Sequence, residues 1–278
     1  MKPAAFTYHD PRTVEDALRV LADVDDEGKV LAGGQSLLPI LNMRLASPAH
    51  LVDINKVAGL SAVSADAGGV TVGATARHTE VERDEAAYTV QPLLRQALRL
   101  VAHPAIRNRG TTCGSLAHAD PAGEMTAVLA LTGGAVRLRT STAEREVAAT
   151  DFFLGPLESC LRPGELLVSV HFPAFPAGTG TAFVEVARRH GDYALCGVAA
   201  AVTRDGDGTV TSARAAYISV SPTPLVLDLT DAAPDWAAAG RLARERVDPE
   251  ADIHSTVAYR RQLVEVLTVR ALTAAVAA

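Results

Sequence analysis

The segment from His103 to Glu124 limits what this chain can become more than any other. It runs His103-Pro104-Ala105-Ile106-Arg107-Asn108-Arg109-Gly110-Thr111-Thr112-Cys113-Gly114-Ser115-Leu116-Ala117-His118-Ala119-Asp120-Pro121-Ala122-Gly123-Glu124. Glycines, small hydroxyl residues and ionisable groups dominate it, and no hydrophobic period runs through it, so it is expected to be a loop rather than a core element. A loop of that length between apolar helical patterns is either solvated or shaped to lie against a polar ligand. A second glycine-rich turn, Ala32-Gly33-Gly34-Gln35-Ser36, breaks another stretch of ordered pattern. The two segments read as opposite halves of one cradle.

Around the first turn the pattern is that of a small α/β lobe. Phe6-Thr7-Tyr8 reads as a strand. Thr13 is an N-cap with Asp16 as its capping-box partner, and Val14, Ala17, Leu18 and Leu21 follow at helical spacing. Val30-Leu31-Ala32 is a short strand. Ser36 opens a helix that turns Leu37, Leu38, Ile40, Leu41 and Leu45 inward, and His50 to Ile54 is the next strand. From Leu60 a hairpin is expected, Ser61–Ala65 and Gly69–Gly73 around Asp66-Ala67-Gly68. Leu94, Ala97, Leu98 and Val101 then mark an amphipathic helix that Pro104 stops. A helix over Thr126–Leu131, paired strands Ala135–Arg139 and Glu146–Ala148, and a strand Leu166–Phe172 complete this part. Phe172 to Gly180 is dense in Pro and Gly and reads as a linker. Three strands, Ala182–Val186, Ala194–Val202 and Val210–Ile218, come next. A last helix from Ser255 places Tyr259, Leu263, Val266, Leu267 and Ala271 on one face. The expected units are residues 1–57, 58–176 and 177–278.

Composition removes several classes of function. The chain has 278 residues and a net charge of -6, which disfavours a nucleic-acid binder, since phosphate neutralisation needs clustered cations. No apolar run reaches the ~20 residues of a membrane span. The N-terminus lacks the apolar core of a signal peptide. Cysteines at 113, 160 and 196 form no CxxC pair, and a cytoplasmic location is expected. Three thiolates also exclude a self-contained all-cysteine iron–sulfur cluster, which needs four. Any electron carrier is therefore organic or held by a partner.

The turn at Gly33-Gly34-Gln35-Ser36 is expected to follow a strand and open a helix, leaving main-chain N–H groups without intrahelical partners. Glycines there let the main chain approach a ligand closely, and free amides suit a phosphate or pyrophosphate. The spacing is neither GxGxxG nor GxxxxGK. Arg109-Gly110-Thr111-Thr112-Cys113-Gly114-Ser115 offers further amides and three hydroxyls. Asp120 and Glu124 either accept hydrogen bonds from sugar hydroxyls or cap the following helix. Arg107 and Arg109 either offset pyrophosphate charge or pair with Asp120 or Glu124. Cys113, His118 and Asp120 lack a fourth zinc ligand, a Cys113–His118 nucleophile pair has nothing further behind it, and Cys160 and Cys196 read as packed side chains. No catalytic side chain and no metal site are assigned.

Three motifs in order, Ala32 to Pro39, His103 to Glu124, and Arg188-Arg189-His190-Gly191-Asp192-Tyr193-Ala194-Leu195, resemble the FAD-binding medium subunit of molybdenum hydroxylases. The motifs look like those of the carbon monoxide dehydrogenase medium subunit and the xanthine dehydrogenase flavin domain, and the resemblance spans nearly the whole chain. The resemblance implies an α+β fold: a two-lobed PCMH-type FAD-binding domain, then a small C-terminal domain of a three-stranded antiparallel sheet and helices. It implies cofactor contacts at Ala32, Gly33, Gly34, Gln35, Ser36, Leu37, Val101, Thr111, Thr112, Cys113, Gly114, Ser115, Asp120, Glu124, Leu167 and Tyr193. The family's second motif reads Thr-Ile-Gly-Gly followed by Ser or Asn. Here Thr112 and Cys113 replace Ile and the first Gly, so Cys113→Gly is expected to be tolerated.

The same resemblance implies FAD on this chain, and molybdenum cofactor and [2Fe–2S] clusters only on a large and a small partner subunit. The complex would be a heterotrimer, or a dimer of heterotrimers. Electrons would enter FAD from the partner clusters and leave to NAD, quinone, a cytochrome or oxygen. Carbon monoxide, purines, nicotine-like and other N-heterocycles stay open as substrates. A stand-alone flavin oxidoreductase of this fold and a non-catalytic nucleotide-binding or assembly module remain as alternatives.

Overall fold

The structure, a computed structural model, describes residues 2–278. Its first sheet is all parallel in the order β1 (Thr7–His9), β3 (His50–Asp53), β2 (Gly28–Leu31). Helix α1 (Val14–Val24) is started by Thr13, whose hydroxyl accepts from the Asp16 amide at 3.1 Å. It buries Ala17, Leu18 and Leu21 against Val52 and Ile54. The same apolar cluster continues through Val57, Leu60 and Ala74 into Leu166 and Val168. Helix α2 (Leu37–Asn42) departs from expectation: only Leu41 is buried, whereas Leu38, Met43 and Leu45 face outward. Six residues make too few turns for a full apolar face, and Pro39 and the following turn carry Leu45 away.

The second sheet is antiparallel, ordered β4 (Val63–Asp66), β5 (Gly69–Gly73), β10 (Leu166–Pro173), β6 (Ala135–Arg139), β7 (Glu144–Ala148). One face carries Val70, Val72, Val136, Leu138, Val170 and Phe172 into the largest core. Helices α3 (His78–Arg83), α4 (Glu85–Val90) and α5 (Pro92–Leu98) precede the polar segment. Pro104 does not end α5 but opens a further short helix, α6 (Pro104–Arg107), because proline suits the first helical position. The expected loop also contains α7 (Thr112–His118). Its sequence has little apolar period, which is why it reads as a loop; Thr111 starts the helix by accepting the Gly114 amide at 3.1 Å. Helix α8 (Glu124–Thr132) is buried nearly all round, through Met125, Thr126, Ala127, Val128, Leu129 and Leu131. Helix α9 (Ala149–Phe152) and the hairpin of β8 (Phe153–Gly155) and β9 (Glu158–Ser159) lie between β7 and β10.

The C-terminal sheet has four strands rather than three: β11 (Thr179–Ala187), β12 (Ala194–Arg204), β13 (Val210–Ile218) and β14 (Leu225–Asp228), all antiparallel. The fourth strand is only four residues long and gave no alternating pattern of its own. Both faces of this sheet are covered. Val198, Ala200, Ala213, Ala215 and Tyr217 meet α10 (Trp236–Arg246) and α11 (Val257–Ala277), while Ala199, Ala201, Ala216 and Ile218 join the core that contains α5 and α8. Such a strand reads as continuously apolar, as β12 does, because neither face meets water. Helix α11 turns Arg260 inward and leaves Tyr259 and Val266 exposed, against expectation. The Arg260 guanidinium donates to the Leu195 carbonyl at 2.9 Å and to the Ser219 carbonyl, which rewards its burial.

Small side chains let α8 lie close to this sheet. Ala216→Leu should therefore overpack the interface and lower stability by about 1–3 kcal/mol, read from urea unfolding. An unchanged unfolding midpoint would show that the layers are loosely packed.

Candidate cofactor site between two glycine turns

Strands β2 and β3 run parallel with Leu31 opposite Asp53, so the chains leaving them emerge side by side. Ile54 donates to the Leu31 carbonyl at 3.0 Å, and the Asn55 side-chain amide donates to the Ala32 carbonyl at 2.8 Å. The turn then passes through Gly34 at φ 73, a left-handed conformation that favours glycine. The Gln35 side chain donates to the Gly33 carbonyl at 3.1 Å, and Leu38 donates to the Gly34 carbonyl at 3.0 Å. Among the described residues, the main-chain N–H groups of Gly34, Gln35, Ser36 and Leu37 reach no acceptor.

This turn abuts the second one. A methyl group on Gly33 would lie 2.4 Å from the Arg109 carbonyl oxygen and 2.7 Å from the Gly110 Cα. The two glycine turns therefore touch main chain to main chain. The second turn offers fewer donors than its sequence suggests. Thr111 is spent on the Gly114 amide, Ser115 N–H on the Thr111 carbonyl, and the Thr112 hydroxyl lies 3.3 Å from His78 Nδ1. The Cys113 amide and the Ser115 hydroxyl have no partner among the described residues. Cys113 itself is buried, with Sγ 3.4 Å from the Val72 carbonyl. Its thiol is pushed far up by burial, which does not suit a nucleophile. Among the described residues no group of three His, Cys, Asp or Glu could hold a metal ion. Val101 and Leu167 also lie in the largest core, behind the turns.

Cations collect where the turns meet. Arg77 donates to the Arg109 carbonyl at 2.5 Å and to Asn55 Oδ1 at 2.6 Å. Burial and then the neighbouring Arg109 lower its pKa, so the two guanidiniums repel one another. Arg109 has no ion-pair partner among the described residues, and Arg107 pairs with Glu82 at 2.9 Å instead of with Asp120 or Glu124. An anion at this junction would relieve that repulsion.

The third segment approaches from the C-terminal sheet. A methyl on Gly191 would lie 2.7 Å from the His103 ring, so the 188–193 turn rests on the start of the second segment. Arg188 and Arg189 pair with Asp192, and Tyr193 stands 70% exposed. Asp120 Oδ1 accepts from the Ala122 amide at 2.8 Å, and Gly123 rather than either carboxylate is the N-cap of α8. Burial, the charges of Asp120 and then of Glu124 push the Tyr193 phenol up. Burial, then the Glu185 charge, raise Glu124 to about 8; burial raises Glu185 to about 7. Glu185 Oε2 is buried without a partner. Sequence reading missed Glu185, although one carboxylate inside the apolar strand Phe183-Val184-Glu185-Val186 was a visible signal. It also missed Asn55 and Arg77, which no local pattern marks.

Residues 4–175 match the family described as the FAD binding domain in molybdopterin dehydrogenase, and residues 181–275 match the CO dehydrogenase flavoprotein C-terminal domain. The chain is 39% identical over 280 residues to the 6-hydroxypseudooxynicotine dehydrogenase complex subunit alpha of Paenarthrobacter nicotinovorans, covering 98% of this chain and 95% of that one. It is 37% identical over 281 residues to the caffeine dehydrogenase subunit beta of Pseudomonas sp. (strain CBB1), covering 98% and 95%. Among solved structures, a chain of carbon monoxide dehydrogenase from Hydrogenophaga pseudoflava superimposes with a TM-score of 0.94 at 34% identity, over 100% of this chain and 99% of that one.

Two outcomes follow from the geometry. Cys113→Gly, expected from sequence to be tolerated, should instead lower stability by roughly 2 kcal/mol, since it empties a core position and adds a helical glycine; flavin-free unfolding measures this. The raised carboxyls make the neutral forms of Glu124 and Glu185 the native ones. Their favourable contribution is complete below the ordinary carboxylate range and is lost as pH rises through about 7 to 8. Glu185→Gln should flatten that decline in thermal stability between acidic and alkaline buffers. A variant that still falls as steeply would refute the assignment.

Proposed function

This chain belongs to the FAD-binding flavoprotein subunits of molybdopterin dehydrogenases, and from that membership we propose that it is the electron-transfer subunit of a heteromeric dehydrogenase. It accepts electrons from [2Fe–2S] clusters on a small partner and passes them to an external acceptor, while a large molybdenum-cofactor partner oxidises the substrate. An oxidoreductase role and FAD as the cofactor follow from the family. The particular substrate lies with the large partner, and relatives named for oxidation of a nicotine derivative, caffeine and carbon monoxide mark the range. No helix is long and apolar enough to cross a membrane among the described residues, and we assign the protein to the cytoplasm.

The observation that carries this reading is the junction of the turns: four main-chain amides without acceptors, beside the guanidiniums of Arg77 and Arg109, neither in an ion pair among the described residues. That donor set fits the diphosphate of a dinucleotide. The Gly34–Leu37 amides would hold it, and Arg77 with Arg109 would offset its charge. Cys113 N–H and Ser115 add donors from the second turn. Asp120 and Glu124 would accept from hydroxyl or ring N–H groups, and Tyr193 would cover the ring. Ala32, Gly33, Thr111 and Thr112 shape the turns rather than donate, and Val101 and Leu167 support them from the core. When bound, FAD supplies two-electron chemistry that no side chain here provides.

The test begins with the flavin. Protein reconstituted with FAD should be yellow at close to a one-to-one ratio and should co-purify with two further chains carrying the molybdenum and iron–sulfur centres. Gly33→Ala should separate the turns and weaken FAD binding by about tenfold or more, with helix content retained. A colourless protein that cannot be reconstituted would leave only the non-catalytic module, and a yellow one that turns over without partners would favour the solitary oxidoreductase.

A further inference from the structure

Beside the ligand-facing amides, a hydrogen-bonded connection crosses between the lobes, made by the side chain of Asn55 and the guanidinium of Arg77. Asn55 stands at the end of β3. Its amide nitrogen donates to the Ala32 carbonyl at 2.8 Å and to Asp53 Oδ1 at 2.6 Å, and its carbonyl oxygen accepts from Arg77 at 2.6 Å. The orientation of this amide is fixed by its neighbours, because Ala32 and Asp53 offer only acceptors and Arg77 only donors. Asp53 is held in turn by the Tyr8 hydroxyl at 2.6 Å and the Asn55 main-chain amide at 2.9 Å.

Arg77 is anchored to the opposite turn. Residues 77 and 111 form an isolated antiparallel bridge, and His78 donates to the Gly110 carbonyl at 2.9 Å. Its guanidinium uses one nitrogen for the Arg109 carbonyl and the other for Asn55. The planar fork thus spans two acceptors on two lobes, which a lysine ammonium at the same place cannot reproduce with the same geometry. We infer that Asn55 and Arg77 are positioning residues: a latch that holds the two glycine turns at their contact distance and so sets how tightly the chain retains FAD.

The inference rests on the flavin reading above, and the experiment separates the two. FAD affinity of the full chain is measured by flavin fluorescence for the unsubstituted protein and for Asn55→Ala, Asn55→Asp, Arg77→Ala, Arg77→Lys and the double alanine variant. Each single variant should bind FAD about tenfold to a hundredfold more weakly, the effect of one charge-assisted hydrogen bond. Arg77→Lys, which keeps the charge but not the planar fork, should still bind about tenfold more weakly than the unsubstituted protein, and the double variant should be no weaker than the worse single one, because the two residues share a bond. Flavin-free melting should move by less than about 4 °C. Full recovery of affinity by Arg77→Lys would show that charge alone matters and would overturn the latch, as would unchanged FAD affinity in every variant.

If the unsubstituted protein binds no FAD, the flavin reading falls, and amide exchange still reads the latch. The amides of Leu38, which bonds to Gly34 inside the first turn, and of His78, which bonds to Gly110 beside the second, should exchange faster in Arg77→Lys and Asn55→Asp. Unchanged exchange would overturn it.

Discussion

The contact between Gly33 and the Arg109–Gly110 main chain is the constraint on which the site depends. Two polypeptide backbones approach with no side chain between them, which only glycine allows at that separation. Every neighbouring feature serves this approach. The parallel register of β2 and β3 delivers Ala32 beside Asn55, and the 77–111 bridge brings the second segment up from β5. Because protein interiors are close-packed, a displacement of either turn is carried into the lobe behind it.

Burial of the C-terminal sheet on both faces is the second determinant. Alanines at 199, 201 and 216 admit α8 against it, and α8 begins at Glu124. Ser219 donates to the Pro121 carbonyl at 2.8 Å, so the polar segment is tied to β13 as well as to its own lobe. The sheet also carries Glu185 toward α8 and ends β11 shortly before the turn that bears Tyr193. The carboxylates and the phenol are thus held by two layers of core, not by loop geometry alone.

Elements with a sustained period were legible: α1, α5, β10 and the three long C-terminal strands follow their apolar spacing. So were the two turns, because glycine clusters mark them. What escaped depends on partners distant in sequence. Helix α7 has a cap but almost no apolar period, so Thr111 signalled it only weakly. The inward face of α11 rotated because Arg260 finds two carbonyls, from Leu195 and Ser219, that no local pattern foretells. Cys113 looked like an intruder among ligand-facing residues, yet helical geometry points it at Val72. Asn55 and Arg77 are unremarkable in sequence and acquire meaning only where separate segments meet.

Charge is distributed unevenly along this cleft, and that asymmetry bears on how a dinucleotide can lie in it. At the turns, Arg77 and Arg109 stand together, neither in an ion pair among the described residues, with Glu80 and Asp53 as the carboxylates that act on Arg77. At the other end, Asp120 and Glu124 lie near Tyr193, Glu185 lies near Glu124, and His118 Nε2 stands 4.0 Å from Asp120 Oδ2. A diphosphate placed among the carboxylates would add charge of the same sign in a partly desolvated site, where repulsion is strongest. At the turns it would meet two cations and four free amides. The uncharged flavin ring suits the acidic end, where carboxyls held partly neutral by burial can both donate and accept hydrogen bonds. On the proposed reading, the same burial that makes Glu124 and Glu185 unfavourable at alkaline pH would equip that end for a neutral, hydrogen-bonding ring, and electrostatics would orient the cofactor before any specific contact is made.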